Sequence, residues 1–179
     1  SAAAIALTIL SATVMIPTDE EYTSETVEYY DMYGGFTIDF QNRDIINYPV
    51  GLFRTVPTFN YHRFVTTDDP AIQKLHETLD SRMSGMSDWE KADYLCNFTH
   101  YNISYMEDSL AHGSKEYVQF ASETILTRHG DCEDYSVLLY NLYLLSGLDA
   151  TLAFTPGHVF VTVLIDGDRI NVDPTINGN

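Results

Sequence analysis

The stretch Gly130-Asp131-Cys132-Glu133-Asp134 places a cysteine among acids directly ahead of the strongest helical pattern in the chain. Further on stand a histidine, in Pro156-Gly157-His158-Val159, and an aspartate, in Asn171-Val172-Asp173-Pro174-Thr175. A thiol attacks an amide carbonyl as thiolate, and a helix N-terminus favours that anion through its unpaired N–H groups and its dipole. His158, where a turn meets a strand, is placed to take the thiol proton and later return it to a leaving amine. Asp173, one strand on, is placed to accept from the other ring nitrogen and fix the tautomer. Together the three predict amide-directed acyl transfer, with Cys132 as nucleophile, His158 as base and Asp173 as orienting acid. The backbone N–H of Cys132 points out of the helix end and is the natural first oxyanion donor. Asp131, Glu133 and Asp134 read as cap and helix-start residues, whose charge opposes thiolate formation and leaves more of the activation to His158.

Other chemistries use the same residues. His129 and Cys132 are three apart, and with His158 and Asp173 they could complete a tetrahedral metal set, although a closed structural zinc site usually offers more thiolates. A non-catalytic binding domain of the same shape is the other alternative. Neither the residues nor their spacing implies a cofactor. Cys96, the second of two cysteines, sits in an apolar helical context and reads as a free thiol packed as a small hydrophobe.

The elements that must position these residues follow from capping and periodicity. Asp69-Pro70 starts a helix carrying Ile72, Leu75 and Leu79, to about Arg82. Ser87-Asp88-Trp89-Glu90 is a capping box opening a second, with Trp89, Ala92, Leu95, Cys96 and Thr99 on one face. Residues 102–105 read as an extended exit, 107–116 as a polar loop and 122–128 as a brief helix. The main helix runs from Cys132 to Ser146 and is apolar nearly all round, so it is central. Three strands follow, 150–154, 158–165 and 169–172, with turns at Thr155-Pro156-Gly157 and Asp166-Gly167. Helices first and an antiparallel sheet second is an α+β order. Ahead of this core, residues 19–31 read as a short helix or a solvated connection, 36–40 as a strand, 41–58 mostly as loop and 59–66 as another strand.

With 179 residues, 45% hydrophobic and 20% charged, the chain is one ordinary globular domain. Nine basic against 26 acidic residues leave a net charge of −17, which excludes nucleic acid as a partner and disfavours an anionic membrane surface. A basic or lysine-bearing peptide suits the charge better. Residues 1–18 carry no charge. They read as the remnant of a signal or anchor, the one route to membrane association and an extracytoplasmic location, or as an apolar element packed on the domain. Asn97-Phe98-Thr99 and Asn102-Ile103-Ser104 match the glycosylation sequon, a triplet common by chance.

Three signatures in order, Glu123-Thr124-Ile125-Leu126 running to Gly130-Asp131-Cys132-Glu133-Asp134, then Gly157-His158-Val159, then Val172-Asp173-Pro174-Thr175, resemble the transglutaminase-like superfamily, over roughly residues 70–175. The bacterial and archaeal transglutaminase-like cysteine peptidases are the relatives it looks most like. The resemblance implies an α+β, papain-like core with the nucleophile at the N-terminus of a central helix packed on an antiparallel sheet. It implies a triad carried by Cys132, His158 and Asp173. The first 60 or so residues match nothing in the family, and residues 1–66 read as an N-terminal extension packed on a catalytic core, 67–179. Peptide or isopeptide hydrolysis is the default activity, protein-glutamine γ-glutamyl transfer the alternative, and a Lys- or Gln-bearing polypeptide the implied substrate. Members often carry an aromatic and a proline ahead of the Glu-Thr-Leu run, where this chain has Val118 and Ala121. Gln119 or Tyr117 then stands in as the second oxyanion or substrate-contacting residue.

Overall fold

The computed structural model describes residues 25–49, 54 and 58–176. The uncharged segment 1–18 lies outside them. The order is a hairpin, β1 (Glu25–Asp31) and β2 (Gly34–Phe40), then helices α1 (Pro70–Arg82) and α2 (Asp88–Asn102). A two-residue strand β3 (Ser104–Tyr105), a single turn α3 (Asp108–Ala111), α4 (Ala121–Thr127) and β4 (His129–Gly130) lead into α5 (Cys132–Leu145). The antiparallel strands β5 (Asp149–Thr155), β6 (His158–Ile165) and β7 (Asp168–Val172) close the fold in the order β5-β6-β7.

Helix α5 is the centre. Val137, Leu138, Leu139, Leu142 and Tyr143 are buried, between β5 and β6 on one side and α1, α2 and α4 on the others. Each fully buried leucine contributes about 1.5–3 kcal/mol. The polar residues of so buried a helix must find partners inside. Asn141 bonds Phe64 O at 2.9 Å, Val137 O at 2.9 Å and Thr66 N at 2.7 Å, and Tyr143 donates to Ala92 O at 2.8 Å. Ser136 donates to Val159 O at 3.0 Å, which fixes the start of β6 against the first turns of α5. The Asp166-Gly167 turn between β6 and β7 has φ of 54° and 91°, the left-handed pair that a two-residue hairpin loop requires.

Four expectations are corrected. Residues 25–31 are a strand, because Val27 and Tyr29 alternate inward against α2 while the backbone pairs with β2. Asn102 closes that arrangement, its side chain accepting from Tyr30 N at 2.8 Å and donating to Tyr30 O at 2.7 Å. It is thus buried and bonded, and offers no glycosylation acceptor. Thr58–Phe64 is a 3-10 helix, not a strand: three residues per turn bring Tyr61 and Phe64 to one buried face, and Asn141 holds its end. Trp89, in the first turn of α2, is exposed, and the buried stripe begins only at Ala92. The polar loop 107–116 contains the helical turn α3. Among the described residues no helix is long and apolar enough to cross a membrane.

The segment before α4 is tied to the core by Arg54, which is almost wholly buried. Its guanidinium makes two 2.6 Å bonds to Glu123, donates to Pro49 O and Val118 O, and lies 4.8 Å from each of the Tyr117 and Phe120 rings. Glu123 also accepts from Phe120 N at 2.8 Å, so one ion pair holds the entry to α4. Removing one partner of such a pair leaves a poorly solvated charge. Arg54→Ala is expected to lower unfolding free energy by about 3 kcal/mol, read from a urea melt; a loss below about 1 kcal/mol would show the pair to be dispensable.

Candidate active site

Cys132 is the first residue of α5 and Asp131 is its N-cap, the Asp131 side chain accepting from Glu133 N at 3.3 Å. Asp134, fully buried, holds this turn in place. It accepts from Gln119 N at 2.7 Å, Gln119 Nε2 at 2.8 Å and Asp131 N at 3.2 Å. Gly130 is required beside it, since a Cβ there would lie 2.5 Å from the Asp134 Cβ. The parallel bridge of Tyr105 to Gly130 and the bond from Met106 N to Gly130 O (2.9 Å) tie the same turn to the exit from α2.

His158 opens β6 and Asp173 follows β7. The two meet through His158 Nε2 and Asp173 Oδ2 at 2.5 Å. Asp173 is oriented by Thr175, whose hydroxyl and N–H donate to Oδ1 at 2.6 and 3.0 Å. Burial pushes the Asp173 carboxyl up, but the bonds from Thr175 and His158 outweigh it and hold it below the usual carboxylate range. The Val159 backbone, one residue after His158, acts on the Cys132 thiol, and Ser136, one turn along α5 from Cys132, donates to Val159 O. The arrangement leaves His158 Nδ1 as the ring nitrogen not committed to Asp173.

The surroundings of the sulfur are acidic. Cys132 Sγ donates to Glu133 Oε2 at 2.9 Å. Burial pushes the thiol well above its ordinary value, the Glu133 bond and charge and the Asp131 charge push it further, and the Val159 backbone offsets only part. Behind it Asp131 is raised to about 9 by burial, by its bond to Glu133 and by the charges of Glu133, Asp134 and Asp108. Burial, with Asp108 adding, raises Asp134 to about 7 despite its three donors, and burial raises Asp108 to about 6. Asp108 accepts from Tyr117 N through one oxygen, and the other is buried without a partner. A protonated carboxyl is the form that tolerates this.

Of the further site residues expected from sequence, Gln119 is buried with both amide hydrogens engaged, by His129 O at 2.9 Å and by Asp134. It braces the turn that carries Cys132. Tyr117 lies with its ring stacked on His112, 4.0 Å between centroids, and over Arg54. Two other tyrosines feel the Cys132 sulfur. Burial and then the charges of Glu133 and Cys132 push the Tyr61 hydroxyl up, and burial with Cys132 does the same at Tyr105. Sequence reading missed both, Tyr61 because its segment was read as a strand and Tyr105 because a two-residue strand carries no periodicity. Cys96 is half-buried on α2, and burial raises its thiol to about 12. Two groups of potential ligand atoms lie within 4.8 Å of one another, Asp131–Cys132–Glu133 and Asp108–Asp131–Asp134. Neither includes His129, His158 or Asp173, so the metal set considered from sequence is not assembled.

Fold and site define an α+β protein with a cysteine opening a central helix and a histidine–aspartate pair on the sheet packed against it. The model of the transglutaminase-like domain matches residues 71–173, more than half of the chain, a span that takes in Cys132 and His158 and ends on Asp173. The chain belongs to the transglutaminase-like family. No curated protein matches it. Among solved structures it is similar to a candidate cysteine protease from Cytophaga hutchinsonii, with 19% identity and a TM-score of 0.47 over 86% of this chain and 62% of that one. It is similar also to a TGase, with 19% identity and a TM-score of 0.46 over 70% and 35%. A candidate protease from Parabacteroides distasonis shows 12% identity and a TM-score of 0.44 over 84% and 35%. The chain thus spans less than two thirds of the length of each.

Two predictions follow from these electrostatics. Because Asp108, Asp134 and Asp131 hold protons in the folded state that the unfolded chain releases near pH 4, their contribution is complete below that pH. It is lost as pH rises through about 6, 7 and 9. The melting temperature is therefore expected to fall between pH 5 and pH 9, and a flat or rising profile would contradict the cluster. Replacing Glu133 by Gln removes the charge that helps hold the Cys132 proton and leaves only a neutral, weaker acceptor. Alkylation of Cys132 by iodoacetamide at pH 7.5 should accelerate, about tenfold for each pKa unit recovered. Unchanged or slower labelling would show that Glu133 does not set the thiol.

Proposed function

We propose that this protein catalyses cysteine-dependent amide acyl transfer through a thioester, with peptide or isopeptide hydrolysis as its reaction. The single observation that carries the reading is the 2.5 Å His158 Nε2–Asp173 Oδ2 contact at the start of β6, the strand whose Val159 O is held by Ser136 one turn from Cys132 at the head of α5.

In this reading His158 Nδ1 takes the thiol proton as sulfur bonds to the carbonyl carbon of a bound amide. The resting thiol is held protonated by burial and Glu133, so the proton moves with the attack rather than before it. Asp173, held charged by Thr175 and His158, stabilises the imidazolium that forms. The carbonyl oxygen becomes an oxyanion facing the Cys132 N–H at the helix end. His158 then gives its proton to the departing nitrogen, the C–N bond breaks and the thioester remains. Water, deprotonated by His158, attacks that thioester, and the proton returns to sulfur as the acid leaves.

Transfer to an amine in place of water is the second reading. The acidic residues around the thiol favour it, because they draw a lysine ammonium toward the acyl group. Incubation with a glutamine-containing peptide and a labelled primary amine, followed by mass spectrometry, separates the two. Hydrolysis adds the elements of water across the amide, and transamidation links the amine. Cys132→Ala and His158→Ala are expected to abolish either product and Asp173→Asn to reduce turnover about 10⁴-fold, by analogy with the loss of the orienting acid in a serine triad. Full activity in Cys132→Ala would end the proposal.

A further inference from the structure

The tip of the β1–β2 hairpin and one face of α2 line a cavity of about 890 Å³ that includes none of Cys132, His158 and Asp173. Tyr30, Met32 and Tyr33 come from the hairpin, and Asp93, Tyr94 and Tyr101 from α2. Ten large apolar side chains are exposed among the described residues, and four of them, Tyr30, Met32, Tyr33 and Tyr101, line this one space. Met32 is 76% exposed and Tyr101 69%. Apolar exposure so concentrated marks a binding surface, whereas scattered exposure is ordinary.

The charge of the wall selects the occupant. Three carboxylates line it, Asp31, Glu90 and Asp93, and no lysine or arginine does. Asp31 is neutralised from behind by Arg82, at 2.8 and 3.0 Å, and by the Tyr94 hydroxyl at 2.5 Å. Glu90 caps Ser87, and among the described residues no cation pairs with Asp93. Ring faces beside the unpaired carboxylate of Asp93 suit a cationic group on an apolar stem, as lysine and arginine provide. Residues 1–24 of this chain carry three acids and no base, so self-occupation would bring like charges together.

Position connects the cavity to the candidate active site. Asp93, Asn97 and Tyr101, at i, i+4 and i+8, form its stripe on α2. On the neighbouring face His100 Nδ1 lies 2.9 Å from Pro174 O, next to Asp173, and Cys96 sits in the field of the Asp173 carboxylate. One helix therefore carries the cavity on one face and the Asp173 loop on the next.

We infer that this cavity docks a lysine- or arginine-bearing segment of the polypeptide on which Cys132 acts, an inference that rests on the peptide-substrate reading above. The test uses the full chain with Cys132→Ala, so that nothing turns over. A fluorescein-labelled nonapeptide of alternating lysine and leucine is titrated by anisotropy beside the same peptide with norleucine for lysine. The basic peptide is expected to bind at least tenfold tighter than the norleucine peptide. Asp93→Lys and Tyr101→Ala, both at exposed positions, are each expected to weaken it at least tenfold with unchanged circular dichroism. Equal binding of the two peptides, or affinity unmoved in both variants, would overturn the docking site. So would sedimentation showing a dimer that Tyr101→Ala dissolves, since a second copy would then be the occupant. Wild-type protein that binds the peptide through Asp93 and Tyr101 but neither cleaves nor amidates an amide would instead sink the proposed activity and leave the docking site standing.

Discussion

One buried carboxyl, that of Asp134, organises the region on which everything functional rests. It ties the run at Gln119 to the turn at Gly130-Asp131 and the first turn of α5 that follows directly from it. A group with no exposed surface could not be tolerated there without those donors, since burying an unsatisfied carboxyl costs several kcal/mol. The demand is reciprocal. Gly130 must lack a side chain because Asp134 occupies its space, and Gln119 must reach inward because Asp134 and the His129 carbonyl need its amide. Cys132 inherits its position from this network rather than from contacts of its own.

The opposite side of the site is set by the sheet. Ser136 fixes the Val159 carbonyl against α5, which brings the start of β6, and so His158, to the level of the first helical turn. The antiparallel register of β6 with β7 then returns the chain so that Asp173 emerges beside His158, with Val161 opposite Val172. A slip of one residue in that register would reverse which side chains face α5 and separate the pair. The Asp166-Gly167 turn, with both residues at positive φ, is what pins the register. A turn far from the chemistry thus governs whether imidazole and carboxylate can meet.

The parts of the fold legible in sequence were those written in local signals. Asp69-Pro70 and Ser87 with Glu90 cap their helices, the apolar run of α5 is central, and strands β5 to β7 lie within a residue or so of where alternation and turns placed them. What was not legible depends on partners far along the chain. β1 looks solvated until Asn102, 72 residues away, bonds Tyr30 and α2 covers Val27 and Tyr29. Thr58–Phe64 has strand-like composition, yet Asn141, 77 residues on, captures the Phe64 carbonyl and helical spacing buries its rings. The candidate site divides in the same way. Cys132, His158 and Asp173 stand out by type and context, whereas the closeness of Tyr61 and Tyr105 to the sulfur emerges only from packing. The acids flanking Cys132 were legible as opposing its ionisation, but not that Glu133 bonds the thiol directly.

That bond is the strongest single link between the Cys132 sulfur and the acidity of the chain. Of nine basic side chains, Arg43, Arg54, Lys74, Arg82 and Arg169 pair with carboxylates elsewhere, and no lysine or arginine figures among the influences on Cys132. The influences that favour the anion are the helix end and the Val159 backbone. Against them stand burial, Glu133 and Asp131, and their sum keeps sulfur in the thiol form. Oxidation and alkylation both proceed through thiolate, so holding the proton on sulfur slows each. The acceptor and much of the opposing charge reside in one side chain, Glu133, so beyond burial the state of the sulfur depends chiefly on that carboxylate.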